Sequence, residues 1–259
     1  MIAIDRRPGT SRASRQASIW CLTTVELRKT SDTRAGTALL AAIAVVAAGR
    51  LVAQLFIGEA ADRDLTGFFH AAMLPVSLLL PVLGILLVTS EWSQRTAQTT
   101  FTLVPHRGRV VLAKAAAAVL LTVLAVAVSL ALAALANAVA APLVEADGSW
   151  ALDMRTLAYG LLYQLVGVCV GLGVGMLLLN SAAALVVYYI LPTVWSLVAG
   201  LVESLKAAAR WLDLTVTTQP LLAGEMTAEA WRRLGTSFAL WGLLPLVLGT
   251  IRLLRSEVK

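Results

Sequence analysis

The chain has 259 residues, of which 59% are hydrophobic and only 14% charged, and its mean hydropathy is +0.82. Soluble domains carry about a quarter charged residues, so this composition excludes a water-soluble globule and makes lipid the surrounding solvent. The net charge of +6 is not gathered into a basic face interleaved with aromatics, which excludes a nucleic-acid surface.

Residues 1–36 form a basic N-terminal segment holding Arg6, Arg7, Arg12, Arg15, Arg28, Lys29 and Arg34. A secretory signal places its apolar run within the first 15–30 residues or so; here the first long apolar run begins after residue 36, so no cleavable signal is expected. A bilayer-crossing helix needs about 20 mostly apolar residues. Six windows within residues 37–251 satisfy this: Thr37–Ile57, Phe68–Thr89, Val110–Ala141, Leu157–Leu179, Ala182–Val202 and Thr236–Ile251. The third exceeds one crossing, and Lys114 marks its entry, leaving Ala115–Ala136 as the part inside the bilayer. The sixth is short and contains Pro245. No alternation of period two occurs, so helices rather than a β-barrel are expected, and the fold class is an all-α polytopic membrane protein.

Orientation follows from the basic flanks. The second-to-third connection adds Arg95, Arg107, Arg109 and Lys114 to the N-terminal set, and the tail at 252–259 adds Arg252, Arg255 and Lys259. Most acidic residues, such as Glu59, Asp62, Asp64, Glu145 and Asp147, fall on the other side. The basic side is therefore expected to be cytoplasmic, with both termini there, in a multi-pass protein of the cell membrane.

Several chemistries are missing. There is no G-x-x-x-x-G-K-[ST] phosphate-binding loop, so the chain alone cannot hydrolyse ATP, and no catalytic residue is assigned. Cys21 and Cys169 are placed too far apart for a disulfide, while His70 and His106 fall on opposite sides without a carboxylate cluster, so no metal or other cofactor is expected in this chain. Gly167, Gly171, Gly173 and Gly175 lie inside an apolar span; the pairs Gly167/Gly171 and Gly171/Gly175 read as close helix packing rather than a nucleotide fingerprint.

The most informative stretch is the loop 90–109, Ser-Glu-Trp-Ser-Gln-Arg-Thr-Ala-Gln-Thr-Thr-Phe-Thr-Leu-Val-Pro-His-Arg-Gly-Arg. It is helix-compatible up to Pro105 and polar nearly all round, which gains little beneath a membrane unless a partner covers it. Glu91 and Arg95 stand four apart in the favourable order. The ordered set Glu91, Trp92, Thr96, Thr99, Pro105, Arg107, Ala113 and Lys114 resembles the loop between the second and third spans of ABC-2 type ABC transporter permeases. That resemblance implies a six-helix bundle of the type V exporter kind, with 90–109 as a coupling helix docking on a separate ATPase through Glu91, Trp92, Arg95, Thr96, Thr99, Phe101, Pro105 and Arg107. It further implies a nucleotide-binding partner subunit that holds ATP and magnesium, a second permease copy as homodimer or heterodimer, and export of a drug, antibiotic, peptide or lipid-like compound. Val25–Lys29 resembles the family's interfacial segment before the first span, although Glu26 and Lys29 interrupt its apolar stripe.

Residues 203–235 form a helical segment on the outer side. Glu203, Lys206, Arg210 and Asp213 share one helix face by their spacing, and Lys206, Arg210 and Trp211 are candidates for an outer gate, the alternative being a packed surface helix. Within the spans, Gln54, Asn137, Tyr159, Tyr163, Gln164 and Tyr188 are candidates to line a path; helix–helix hydrogen bonding and interfacial anchoring compete with that reading. Arg50 snorkels outward or meets substrate. A non-ATP-driven protein (secondary transporter, channel, immunity or sensor protein) is the alternative function, and the lack of paired intramembrane carboxylates counts against it.

Overall fold

The computed structural model describes residues 18–94, 106–144 and 148–255. Every regular element among them is helical, and six helices are long and apolar enough to cross a bilayer. The chain is an all-α polytopic membrane protein.

The order begins with α1 (Ile19–Asp32), followed by the first span α2 (Arg34–Ile57). Only Thr33 separates them: it is extended, at φ −84° and ψ 139°, and its hydroxyl caps α2 by accepting from the Gly36 amide at 3.2 Å. A Cβ at position 36 would lie 1.9 Å from the Thr30 carbonyl oxygen, so this abrupt corner requires glycine. The second span, α3 (Leu65–Ser93), is capped by Asp64, which accepts from Gly67 at 2.7 Å, and it continues through Pro75 and Pro81. The third, α4 (Arg107–Leu143), has 37 residues. That is about 55 Å of helix against a hydrocarbon core of about 30 Å, so the helix runs on past both ends of the apolar window.

The fourth span α5 (Met154–Leu178) turns into the fifth, α6 (Ser181–Leu201), through Leu179 and Asn180 alone, with Leu179 left-handed at φ 53°. Two short helices follow, α7 (Lys206–Leu212) and α8 (Leu214–Ala223). Then α9 (Ala228–Phe238) passes through one π-helical turn at Ala239–Leu243 into α10 (Leu244–Arg255). The sixth span is thus the continuous rod Ala228–Arg255, beginning eight positions before the expected start at 236. The last quarter of the expected outer segment, 203–235, is therefore the first turns of this rod.

That outer segment differs from expectation in a second way. Glu203–Asp213 is not one helix with a single polar face: a 3₁₀ turn occupies Glu203–Leu205, α7 ends at Leu212, and Asp213 is the N-cap of α8. Its carboxylate accepts from the Thr215 and Val216 amides and from the Ser196 hydroxyl, and the residue is buried. An Asp satisfies a new helix N-terminus better than it continues an old helix.

Spans α3 and α5 form the centre and are the most buried of the six. They approach closely because α5 presents glycine to α3: a Cβ on Gly171 would sit 2.5 Å from the Pro81 carbonyl oxygen. Leu80, Leu83, Leu87, Ala117, Leu172 and Met176 fill the contact between α3, α4 and α5 nearer the basic end, and Phe68, Phe69, Met73 and Ala133 fill it nearer the acidic end. Large apolar side chains face outward along the other spans, as on α6, where Val186, Ile190 and Leu197 are exposed.

Candidate functional site

Four charged side chains meet at the basic end of the bundle. Glu26 and Lys29 come from α1, Glu91 from the last turn of α3 and Lys114 from the second turn of α4. Lys114 as a whole is only 1% exposed. Taking such an ion out of water costs several kcal/mol unless its partners are close and complete. Here they are both: Nζ donates to Glu26 Oε2 at 2.8 Å and to the Leu87 carbonyl at 2.7 Å, and lies 3.2 Å from Glu91 Oε1. Three acceptors meet the three N–H bonds of one ammonium. Lys29 closes the ring, donating to Glu26 Oε1 at 2.8 Å and Glu91 Oε1 at 2.6 Å. Two acids against two bases leave the cluster neutral. Burial pulls the Lys29 ammonium down, but the hydrogen bonds and attraction of Glu26 and Glu91 outweigh it and hold the group above its ordinary value of 10.5.

This arrangement explains why α1 lacks a clean apolar stripe. Thr23, Glu26 and Thr30, spaced three and four apart, are its buried residues, whereas Ile19, Trp20 and Val25 are exposed. The helix turns its polar face to the protein and its apolar face outward. That inversion suits an environment of lipid at the headgroup boundary.

Glu91 and Lys114 bracket the expected coupling loop from its two sides. Arg95, Thr96, Thr99, Phe101 and Pro105 lie outside the described residues. Trp92 is half-buried, and Glu91 is buried and directed inward to Lys29 and Lys114 rather than outward to a partner surface. Arg107 Nη1 donates to the Leu253 and Leu254 carbonyls at 3.2 and 3.3 Å, closing the end of α10, where a cation meets the negative pole of that helix. Arg252 in turn donates to the Leu177 carbonyl at the end of α5. Ser181 at the start of α6 donates to Thr89 Oγ1 at 2.8 Å and lies 3.1 Å from Ser93 Oγ. All six spans but α2 are cross-tied at this end by polar side chains, and α1 joins α2 through Thr33.

The expected path residues form two overlapping groups, with Gln164 in both. Gln54, Asn137 and Gln164 are all buried, and each amide donates to a backbone carbonyl: Gln54 to Asp62 at 3.2 Å, Asn137 to Ser149 at 3.2 Å, Gln164 to Met73 at 3.1 Å. The first two hold the turns beyond α2 and before α5. Tyr159 meets Trp231 edge-on, ring centres 6.1 Å apart. Tyr163, Gln164 and Tyr188, in contrast, come together around two adjoining pockets between α3, α5, α6 and α8. The expected gate residues are held on the surface. Lys206 pairs with Glu203, Trp211 lies 5.7 Å beneath the Arg233 guanidinium, and Arg210 borders a cleft with Glu225 and Glu229.

Two parts of the site were not expected from sequence. The pairing of Glu26 with Lys114 spans 88 residues and that of Lys29 with Glu91 spans 62, and their only sequence trace is a charge pair that breaks an apolar stripe. Ser77, Thr193, Thr215, Thr218 and Trp241, which complete the pockets, carry no trace at all. No protein-family model matches the chain, and no curated protein matches it.

Proposed function

We propose that this chain is the membrane subunit of an ATP-driven exporter, a permease that works with a separate ATPase and a second membrane subunit. The observation that carries the reading is the neutral ion-pair ring around Lys114. It fastens α1 to the turn of α3 that enters the 94–106 connection and to the turn of α4 that leaves it. A motor pushing from outside the bilayer moves spans only if the loop it grips is rigidly joined to them. With both ends of the connection bound to one interfacial helix, a displacement of the loop carries α1, α3 and α4 as one body. The resemblance of residues 90–114 to the coupling loop of ABC-2 permeases supplies the identity of the motor, and the excess of Lys and Arg at this end supplies the cytoplasmic side.

The exported compound on this reading is apolar or amphipathic, a drug, antibiotic, peptide or lipid-like molecule, since an ion would want a polar lining along its route. The test is affinity purification of the tagged chain from its native membrane in mild detergent, with mass spectrometry of what accompanies it. An ATP-binding subunit carrying the phosphate-binding loop that this chain lacks is expected at near-stoichiometric amounts. Recovery of the chain without any ATPase, even after crosslinking, overturns the reading in favour of a protein that works without ATP.

A further inference from the structure

The two pockets beside Tyr163 and Gln164 have volumes of about 350 and 210 Å³ and share the lining residues Ser77, Tyr163 and Gln164. They therefore form one elongated cavity with a polar waist. The two ends differ in chemistry. Phe69, Met73, Leu74, Leu221 and Leu222 make the larger end mainly apolar. Tyr188, Tyr189, Thr193, Thr215 and Thr218 line the smaller end with hydroxyls, alongside Trp241. Neither end is lined by an Asp, Glu, Lys or Arg side chain, and His70 at the apolar end is the single titratable exception apart from the tyrosines.

The polar groups around the waist are incompletely used. Gln164 is 2% exposed and donates its amide N–H to the Met73 carbonyl, while its amide oxygen accepts no hydrogen bond from the described residues. The Tyr188 hydroxyl likewise has no hydrogen-bond partner among them, whereas Ser77 donates to the Leu74 carbonyl and Tyr189 to the Leu78 carbonyl. Neither the Gln164 amide oxygen nor the Tyr188 hydroxyl is fully enclosed by protein, and a polar group left open in an apolar setting normally finds a partner. The cavity falls in the size range of small-ligand sites, which combine apolar walls with a few placed polar groups.

We infer that this cavity binds an elongated, uncharged amphipath: an alkyl chain in the Phe69–Leu222 end, joined to hydroxyl or amide groups that reach Gln164 and Tyr188. A charged headgroup would enter without a counter-ion in a medium where an unpaired ion is strongly disfavoured. The inference deepens the export reading by naming the chemistry of the substrate, and it rests on that reading only for the role of substrate, because binding itself needs no ATPase.

The test is photolabelling of the purified full-length chain in nanodiscs. Three diazirine probes of equal chain length are compared, a monoacylglycerol, a fatty acid and an alkyl trimethylammonium, and labelled peptides are mapped by mass spectrometry. The monoacylglycerol labels segments 69–77, 160–167 and 188–193 several-fold more than either charged probe. Tyr188→Phe, which removes no protein hydrogen bond, lowers that labelling about three- to tenfold, the weight of one hydrogen bond to a neutral partner. Gln164→Leu lowers it further but also loses the bond to Met73, so the tyrosine variant decides. Equal labelling by the three headgroups, or labelling unchanged in Tyr188→Phe, overturns the inference. Failure of the labelling with an ATPase still co-purifying removes the cavity assignment alone; success with no ATPase partner removes the export reading alone.

Discussion

The two halves of α3 handle polarity in opposite ways. At the basic end the charges are strong and fully matched: Lys114 meets three acceptors, and Glu26, Lys29 and Glu91 close on one another. Around Ser77 the polar groups are weak, uncharged and in part unmatched, and they surround empty volume. In an apolar solvent a satisfied ionic cluster has nothing left to offer a ligand and acts as a joint. A neutral cluster with open acceptors can still receive one. The difference separates where the bundle is held from where it can bind.

The largest effect that tests this division is Glu91→Arg, which sets three cations against Glu26. Loss of one member of a buried pair costs about 3–5 kcal/mol, so the variant is expected to melt far below the wild type in detergent or to yield little folded protein. Glu91→Gln, which removes one carboxylate facing Lys29 and Lys114 without adding a third cation, is expected to lose less of the melting temperature than Glu91→Arg. A single variant that melts normally would break the joint half of the comparison. Next comes Gly171→Leu, whose side chain must enter where even a Cβ lies 2.5 Å from the Pro81 carbonyl. Overpacking of this kind costs about 1–3 kcal/mol, and by parting α3 from α5 it lowers probe labelling of the cavity as well. Removing the α8 cap with Asp213→Ala costs about 1 kcal/mol, seen as a smaller drop in the thermal midpoint. Smallest is Tyr188→Phe, expected within about 0.5 kcal/mol of the wild type in stability while its labelling by the neutral probe falls. A large stability loss there would mean that the cavity hydroxyls hold the fold after all.

Much of the architecture is legible in the residues themselves. Long apolar runs force helices, because only intra-segment hydrogen bonds survive in hydrocarbon; four of the six expected windows fall inside the long helices, and Leu157–Leu179 and Ala182–Val202 overrun theirs by one residue each. The third and sixth run beyond their windows because hydropathy marks the membrane boundary, not the helix end. Gly171 in a small-residue series correctly marks a close contact. Asp213 shows what spacing cannot decide: a residue at i+10 continues a polar face only if the helix continues, and a capping side chain is just as well suited to ending it. Glu26 and Lys29 show the larger limit. Their inward direction depends on Lys114, 88 positions from Glu26, and on Glu91, 62 positions from Lys29, and no local pattern carries those pairings. Within the candidate site Tyr163, Gln164 and Tyr188 stand out as polar residues in apolar runs, but Thr215 and Thr218 belong to a short helix whose position is set only by the finished bundle.

The ring around Lys114 also imposes an order on how the protein is made. Glu26 emerges from the ribosome first, and its deepest partner follows 88 residues later. At about 5–20 residues per second, α1 waits roughly 4–18 s beside the membrane with one carboxylate oxygen unanswered. Until it is in place, Lys114 has only Glu91 and a carbonyl to enter the bilayer with. Helix α1, made before both of its partner spans, is thus locked only once Glu91 and Lys114 have arrived.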